Sequence, residues 1–291
     1  MFHLLTQADL PAIWERQQKL RTLSSEFDAF RLFAWLPLDR TELCDWRGQF
    51  VYRCQAQGET WYLAPAETED FPELIGCLAV FERAAGGSAL RILNTDRNLA
   101  DYPEGFTATP RRDLFDYLYR AEDLLYFQGR HYAAKRNQVA QFTRNYRWRF
   151  EAVNERNVMD CYAVADQWNQ LHEGALLPFE RLAIERMLTL REPYGQSAGL
   201  LYADDQPVAF AIGSHPRPAL LDIVAEKALP SFTGAYAMII RQYARYAYEM
   251  APFQFINREE DMGLENLRNA KLQLKPVQMI EKTLMCLRLE P

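Results

Sequence analysis

No stretch of this 291-residue chain approaches the ~20 uninterrupted apolar residues that a membrane-spanning helix requires. Its start, Met1-Phe2-His3-Leu4-Leu5-Thr6-Gln7-Ala8-Asp9, has neither the basic segment, the long apolar run nor the cleavage site of a signal peptide. The expectation is a soluble, cytoplasmic protein. The five cysteines (Cys44, Cys54, Cys77, Cys161 and Cys286) are odd in number, widely spaced and never in Cys-x-x-Cys form, which argues against a disulfide framework and against a zinc site. The four histidines show no ligand spacing such as His-x-x-x-His, so a metal enzyme is not expected. Repeats and low-complexity tracts are missing as well. The first half of the chain holds no nucleophile motif, phosphate loop or metal box and is assigned a supporting role. A formal charge of −6 excludes a generally basic nucleic-acid coat but leaves room for a local basic patch.

What is there is an ordinary globular composition, 49% hydrophobic and 25% charged, in a chain long enough for two cores. Helical periodicity marks Leu10 to Leu23 and Pro72 to Ala84, and paired strands flank Gln57-Gly58-Glu59. The order is mixed α and β. Between Leu124 and Phe150 the charge reverses: six cations (Arg130, Lys135, Arg136, Arg144, Arg147 and Arg149) occur without one acid, interleaved with Tyr126, Phe127, Tyr132, Phe142, Tyr146 and Trp148. Nucleic-acid and phosphate contacts use this mixture for charge and stacking. On the helix read from His131 to Tyr146, Lys135 and Arg136 lie beside an apolar stripe of Tyr132, Val139, Phe142 and Tyr146. They either meet an acid such as Glu226 or Glu259, or face a ligand phosphate in a cleft between the halves. A solvated or ion-paired interdomain helix is the plainer reading of the same residues.

The densest chemistry runs from Phe253 to Lys271, where Phe253, Phe255 and Ile256 make a short strand and Asn257-Arg258-Glu259-Glu260-Asp261 a charged elbow before a helix. Asp261 is the expected helix cap. Leu264, Leu267, Arg268 and Lys271 then follow at i, i+3, i+4 and i+7, so two cations share or border the face that meets the core. Either they find partners there, or they snorkel to solvent while Glu259 to Asp261 complement the helix dipole.

From Glu155 the elements read helix, a second helix closed by Pro193 and Gly195, three strands (Ala198 to Tyr202, Pro207 to Gly213 and Ala219 to Glu226), helix, strand, helix and a last strand over Val277 to Leu289. This is the order of the GNAT acyltransferase fold, in which one strand splays from its neighbour and the next helix aims its N-terminus at an anionic ligand. GNAT enzymes that use acetyl-CoA commonly carry a Gln or Arg and then two small residues in that loop. Here Ser231-Phe232-Thr233-Gly234-Ala235-Tyr236-Ala237 keeps one Gly and lacks the base.

A closer likeness is carried by Tyr117-Leu118-Tyr119-Arg120, Glu122-Asp123-Leu124, Gly129-Arg130-His131-Tyr132 and Lys135-Arg136-Asn137. It continues through Glu226-Lys227-Ala228, Gly234-Ala235-Tyr236 and Asn257-Arg258-Glu259-Glu260-Asp261-Met262-Gly263. These residues resemble an uncharacterised bacterial group similar to the C-terminal domain of phosphatidylglycerol lysyltransferase. The resemblance covers roughly Phe115 to the C-terminus. It implies an α+β or α/β chain of two tandem GNAT-like domains in the Fem-like aminoacyltransferase superfamily. The division expected is an N-terminal domain over 1–130, a basic connecting helix over 131–150 and a C-terminal domain over 151–291 that carries the site. After Lys271 the sequence reads Leu272-Gln273-Leu274-Lys275-Pro276 where the family tends to show Ser-Tyr-His-Pro, and a membrane domain like that of the lipid enzymes is not expected.

The activity this implies is acyl transfer, aminoacyl from aminoacyl-tRNA ahead of acetyl from acyl-CoA, to a hydroxyl or amine acceptor, with no tightly bound cofactor and with tRNA as a candidate partner. The acceptor, whether small molecule, lipid headgroup or peptide, is left open. Such chemistry needs a carboxylate to take the acceptor's proton and cations or amides to hold the developing oxyanion. Glu226 and Glu259 are the candidate bases. Lys135, Arg136, Asn137, Lys227, Gly234, Tyr236, Asn257, Arg258, Arg268 and Lys271 are the candidate contacts to phosphate, oxyanion or substrate. The alternative is a non-catalytic module that keeps the fold and binds an anionic ligand or an RNA.

Overall fold

The computed structural model describes residues 1–56, 58–172, 177–190 and 195–290. Its strands are β1 (His3–Leu4), β2 (Glu42–Trp46), β3 (Gln49–Ala56), β4 (Glu59–Leu63), β5 (Ala89–Asn94), β6 (Phe106–Pro110), β7 (Asp116–Arg120), β8 (Trp148–Ala152), β9 (Gln196–Ala203), β10 (Gln206–Arg217), β11 (Leu220–Ala228), β12 (Phe255–Asn257), β13 (Gln278–Ile280) and β14 (Thr283–Arg288). The helices are α1 (Leu10–Gln17), α2 (Ala29–Ala34), α3 (Leu36–Asp39), α4 (Phe71–Ala84), α5 (Ala121–Tyr126), α6 (Ala133–Asn145), α7 (Val158–Gln170), α8 (Leu177–Thr189), α9 (Ala235–Met250) and α10 (Glu265–Gln273). The strands form two seven-stranded sheets, ordered β1-β2-β3-β4-β5-β14-β6 and β13-β7-β12-β11-β10-β9-β8.

Alternation along the strands sets the layers. Val51, Tyr62, Leu90, Ile92 and Met285 point to α4 on the outer face of the first sheet. Leu43, Tyr52, Cys54 and Leu93 point the other way, into a shared core with α1, α2, α7, α8 and one face of the second sheet. The opposite face of the second sheet is covered by α5, α6 and α9, through Phe142, Met238, Ile239 and Tyr243 among others. The molecule is thus helix, sheet, helices, sheet, helices. The two-domain GNAT-like architecture is present.

Two strands cross the division at residue 130: β7 precedes it yet lies inside the second sheet, while β14 ends the chain inside the first. The single strand expected over Val277 to Leu289 is therefore two, broken at Glu281 and Lys282. Lys282 supplies the physical reason, since its fully buried ammonium sits 2.6 Å from Glu26 and 2.8 Å from Asp116 at the seam between the sheets. The first helix also stops earlier than its periodicity suggests, at Gln17, whose buried side-chain oxygen accepts the Ala29 N–H at 2.7 Å. The hairpin position Gln57 and the helix stop at Pro193 lie outside the described residues.

Two features position the site. β11 pairs in parallel with β12 only over Leu220–Asp222, after which the chain beyond β12 stays bonded to β7 while β11 runs on to Ala228. The two strands diverge there, and the break in their pairing is the cleft. The second feature is an irregularity in the β10–β11 pairing, where Ile212 faces Ala225 but Gly213 faces Ile223, leaving Val224 as an extra residue. Such a bulge reverses the alternation beyond it. Leu221 and Ile223 belong to the α9 face before it, so Glu226, an odd number of positions further on, emerges on that same face. Lys227 goes to the opposite one, against α7 and α8.

Candidate functional site

Glu226 sits in the cleft with its side chain 4% exposed. One carboxylate oxygen lies 2.9 Å from Arg258 Nη2, and the other has no hydrogen-bond partner among the described residues. Burial pushes the Glu226 pKa up, against the pull of Arg258, Lys271 and Lys135. The Arg258 Nε–H is likewise unpartnered. Glu226 and the Tyr236 hydroxyl outweigh the cost of burying Arg258 and raise its pKa. Tyr236 stands in the first turn of α9; burial of its hydroxyl, followed by Glu226, raises its pKa to about 12. Lys135 approaches from α6, half-buried and making no ion pair among the described residues, its pKa lowered by burial and by Arg258. A base with an open valence, a guanidinium with a spare N–H, a phenol and an ammonium thus share one cleft.

The elbow behind this group is rigid for identifiable reasons. Glu259 adopts a left-handed backbone, φ 52°, which is costly for a side chain with a Cβ. Asn257 holds it there by accepting the Glu259 N–H at 2.7 Å, while Tyr117 N–H donates to the Glu259 carbonyl at 3.3 Å. Lys271 completes the lock, its buried ammonium donating to the carbonyls of Arg258, Glu259 (3.1 Å) and Glu260 (2.6 Å). All three of its N–H groups are then used. Burial and the neighbouring Arg258 bring its pKa down to about 8. From the other half of the chain, Arg31 on α2 meets Glu259 at 3.1 Å and Glu26 at 3.2 Å, and reaches Glu260 at 3.4 Å.

Asp261 is not the helix cap that its position suggests. α10 begins at Glu265 with Leu264 before it, and Asp261, wholly buried, instead accepts Gly263 N–H, Tyr117 Oη–H, Arg112 Nη1–H and two N–H groups of Arg268. These donors outweigh burial and hold its carboxyl well below the usual range. The inward face of α10 is consequently ionic: Lys271 is buried and Arg268 half-buried, whereas Leu264, expected inward, is 50% exposed.

The other residues singled out from the sequence go elsewhere. Arg136 donates to the carbonyls of Phe127 (2.5 Å) and Gly129 (2.6 Å), capping the preceding turn. Asn137 is exposed on α6. Lys227 pairs with Glu180 at 2.8 Å and lies 3.4 Å over the Trp168 ring, on the far side of the sheet from Glu226. Gly234 has φ 88°, and a Cβ there would come within 2.2 Å of the Gln138 carbonyl oxygen. α6 therefore presses its backbone onto the start of α9, placing an acceptor where a phosphate would want donors.

Sequence reading did not single out Asp222, fully buried at the last β11–β12 pair on the face of the sheet opposite Glu226, with neither carboxylate oxygen hydrogen-bonded. Burial, reinforced by Asp28 and Asp116, raises its pKa well above normal. Arg217 stands nearby, 4% exposed, with Nε and Nη1 unpartnered. The one available signal was a lone acid, Asp222, inside the otherwise apolar run from Ala219 to Ala225.

With this geometry in view, comparison with known proteins is decisive at one level. Residues 40–286 match the family model described as phosphatidylglycerol lysyltransferase, C-terminal. The chain belongs to that family. Among solved structures, a conserved protein of unknown function from Bacteroides thetaiotaomicron is 28% identical, with TM-score 0.90 and 99% of each chain covered. The structure of L-PGS from Bacillus licheniformis has TM-score 0.72 at 14% identity, covering 99% of this chain and 94% of that one. A tandem GNAT protein from the clavulanic acid biosynthesis pathway follows at TM-score 0.53 and 9% identity, covering 100% and 99%. Among curated proteins, none matches the sequence. No helix among the described residues is long and apolar enough to cross a membrane.

Proposed function

We propose that this protein transfers an aminoacyl group from aminoacyl-tRNA to a hydroxyl or amine acceptor, with Glu226 as the general base. The observation that carries the reading is the open carboxylate oxygen of Glu226, buried beside Arg258, Tyr236 and Lys135 in the β11–β12 cleft. An unpartnered buried acceptor costs about 1–3 kcal/mol unless a guest satisfies it. In the proposed step this oxygen takes the acceptor's proton as the acceptor attacks the ester carbonyl. The spare N–H of Arg258 and the Lys135 ammonium stabilise the oxyanion. Collapse breaks the ester C–O bond, and the leaving ribose oxygen receives the proton back from Glu226.

One feature of the fold favours aminoacyl over acetyl. The start of α9, where acetyl-CoA enzymes of this fold cradle pyrophosphate, is pressed against the Gln138 carbonyl, and its loop has no base. On the outer surface Arg130 and Arg144 are exposed and make no ion pair among the described residues, leaving them available to a phosphate backbone. The membership in a family named for lysyl transfer supports the same reading.

The non-catalytic alternative draws on the saturation of Lys271 and on the pairing of Arg268 with Asp261 and of Glu259 with Arg31 inside the protein. Native mass spectrometry separates the cases, with the protein titrated with charged tRNA, uncharged tRNA and acetyl-CoA at several salt concentrations. Preferential, salt-sensitive binding of charged tRNA is expected. Tight binding of acetyl-CoA, or equal binding of charged and uncharged tRNA, would refute the proposal.

A further inference from the structure

The two sheets end in four edge strands, and three of them are protected in recognisable ways. β1 has two residues and β13 three, too short to template a partner. β8 is guarded by charge: Arg149 pairs with Glu151 and Asp205, and Arg147 with Asp205. The fourth, β6, reads Phe-Thr-Ala-Thr-Pro, has no charged residue, and exposes Thr107, Ala108, Thr109 and Pro110.

Its hydrogen-bonding groups can be assigned. Arg111 N–H donates to the Lys282 carbonyl at 2.8 Å, opposite in register. Alternation along an antiparallel ladder then turns Thr109 and Thr107 toward β14. The amides of Phe106 and Ala108 and the carbonyl of Pro110 consequently face outward, unpaired. Pro110, which lacks an N–H, sits at an outward position, where an edge strand tolerates it.

We propose that β6 is a homodimer edge: two copies pair it antiparallel about a two-fold axis at Ala108, joining two seven-stranded sheets into one of fourteen. Ala108 exchanges both backbone bonds with Ala108 of the second copy, and Phe106 N–H donates to the Pro110 carbonyl across the axis. Charge selects a second copy as the occupant. Antiparallel self-pairing brings Glu104, exposed and without an ion pair among the described residues, to the end of the second strand that carries Arg111 and Arg112, whose guanidiniums pair with Asp113 and Asp261 in their own chain and keep exposures of 34% and 40% for a further acid. The same contact repeats on the other side of the axis, as an isologous interface requires. The surface is separate from the Glu226 cleft, and the inference does not rest on the proposed activity.

The test is the molar mass in solution by light scattering, together with a cysteine placed on the axis. The wild type is expected at twice the 33.9 kDa of one chain. Ala108→Cys, made with Cys77→Ser to remove the exposed native thiol, should form a symmetric disulfide under mild oxidation. Directly paired residues of this kind lie about 5.5 Å apart at Cα, within disulfide reach. Thr107→Lys/Thr109→Lys sets lysines opposite one another and should weaken the dimer by at least about tenfold. Because both threonines are exposed, a normal melting temperature is expected for that variant. A monomer at every concentration would overturn the proposal. So would a dimer that neither cross-links through residue 108 nor responds to the paired lysines.

Discussion

Two buried carboxylates, Glu226 on β11 against Arg258 of the charged elbow and Asp261 at the elbow's far end, differ in one respect that matters. Asp261 accepts five hydrogen bonds and has no capacity left. Glu226 accepts one, at 2.9 Å from Arg258, and keeps an oxygen free. Their acidities move apart accordingly: donors pull Asp261 down and burial pushes Glu226 up. A saturated acid can only hold structure, whereas an unsaturated one with a raised pKa is a better proton acceptor than an ordinary carboxylate. Charge density alone does not mark a site.

The contrast can be broken first at Glu226. Replacing it by Gln should lower turnover by about 10²–10⁴-fold, the contribution typical of a positioned base, while charged-tRNA binding persists; single-turnover kinetics measure it. On the saturated side, Lys282→Met strips the counter-charge from Glu26 and Asp116 between the sheets. It should cost about 3–5 kcal/mol in denaturant unfolding, without selective loss of turnover in the protein that remains folded. Asp261→Asn should cost less, about 2–3 kcal/mol, because Arg112 and Arg268 keep side-chain exposures of 40% and 34% and can turn to water.

pH sharpens the same comparison. Glu226 must be ionised to act, so the rate should rise with pH through an apparent pKa above the usual glutamate value. Glu26 is the structural counterpart: Arg31 and Lys282 outweigh its burial and bring its pKa to about 2 from 4.5. A lowered carboxylate pKa contributes stability that is fully present above 4.5 and is lost as pH falls through about 2. Acid unfolding followed by circular dichroism should show that loss, and a Glu26→Gln variant should lack this contribution to the slope. The smallest effect is expected at Lys135. Its replacement by Gln should weaken charged-tRNA binding less than tenfold and, if it meets a phosphate, reduce the salt slope by about one.

Much of the second half was legible in the sequence because it rests on local pattern. Alternation and breakers located β9, β10 and β11, and the strand, elbow and helix after Phe253 appear where the residues suggest. Glu226, Tyr236, Arg258 and Lys135 were all nameable and do converge. What escaped is what depends on distant pairing. Arg31 meets Glu260 across 229 positions and Lys282 meets Glu26 across 256, and no window of sequence relates such residues. The reassignment of Val277 to Leu289 has the same origin, since Lys282 reads as one polar residue in a strand until its two acids are in place. The alternation rule misplaces the side on which Glu226 emerges, because one extra residue at Val224 inverts it.

The most direct test places the two acids side by side: protein-dependent discharge of aminoacyl-tRNA, with protein in excess and hydroxyl and amine acceptors supplied, for wild type, Glu226→Gln and Asp261→Asn. The account predicts that wild type and folded Asp261→Asn discharge the tRNA at comparable rates, while Glu226→Gln binds it and leaves it charged. Equal discharge by wild type and Glu226→Gln would contradict the assignment of chemistry to the open carboxylate.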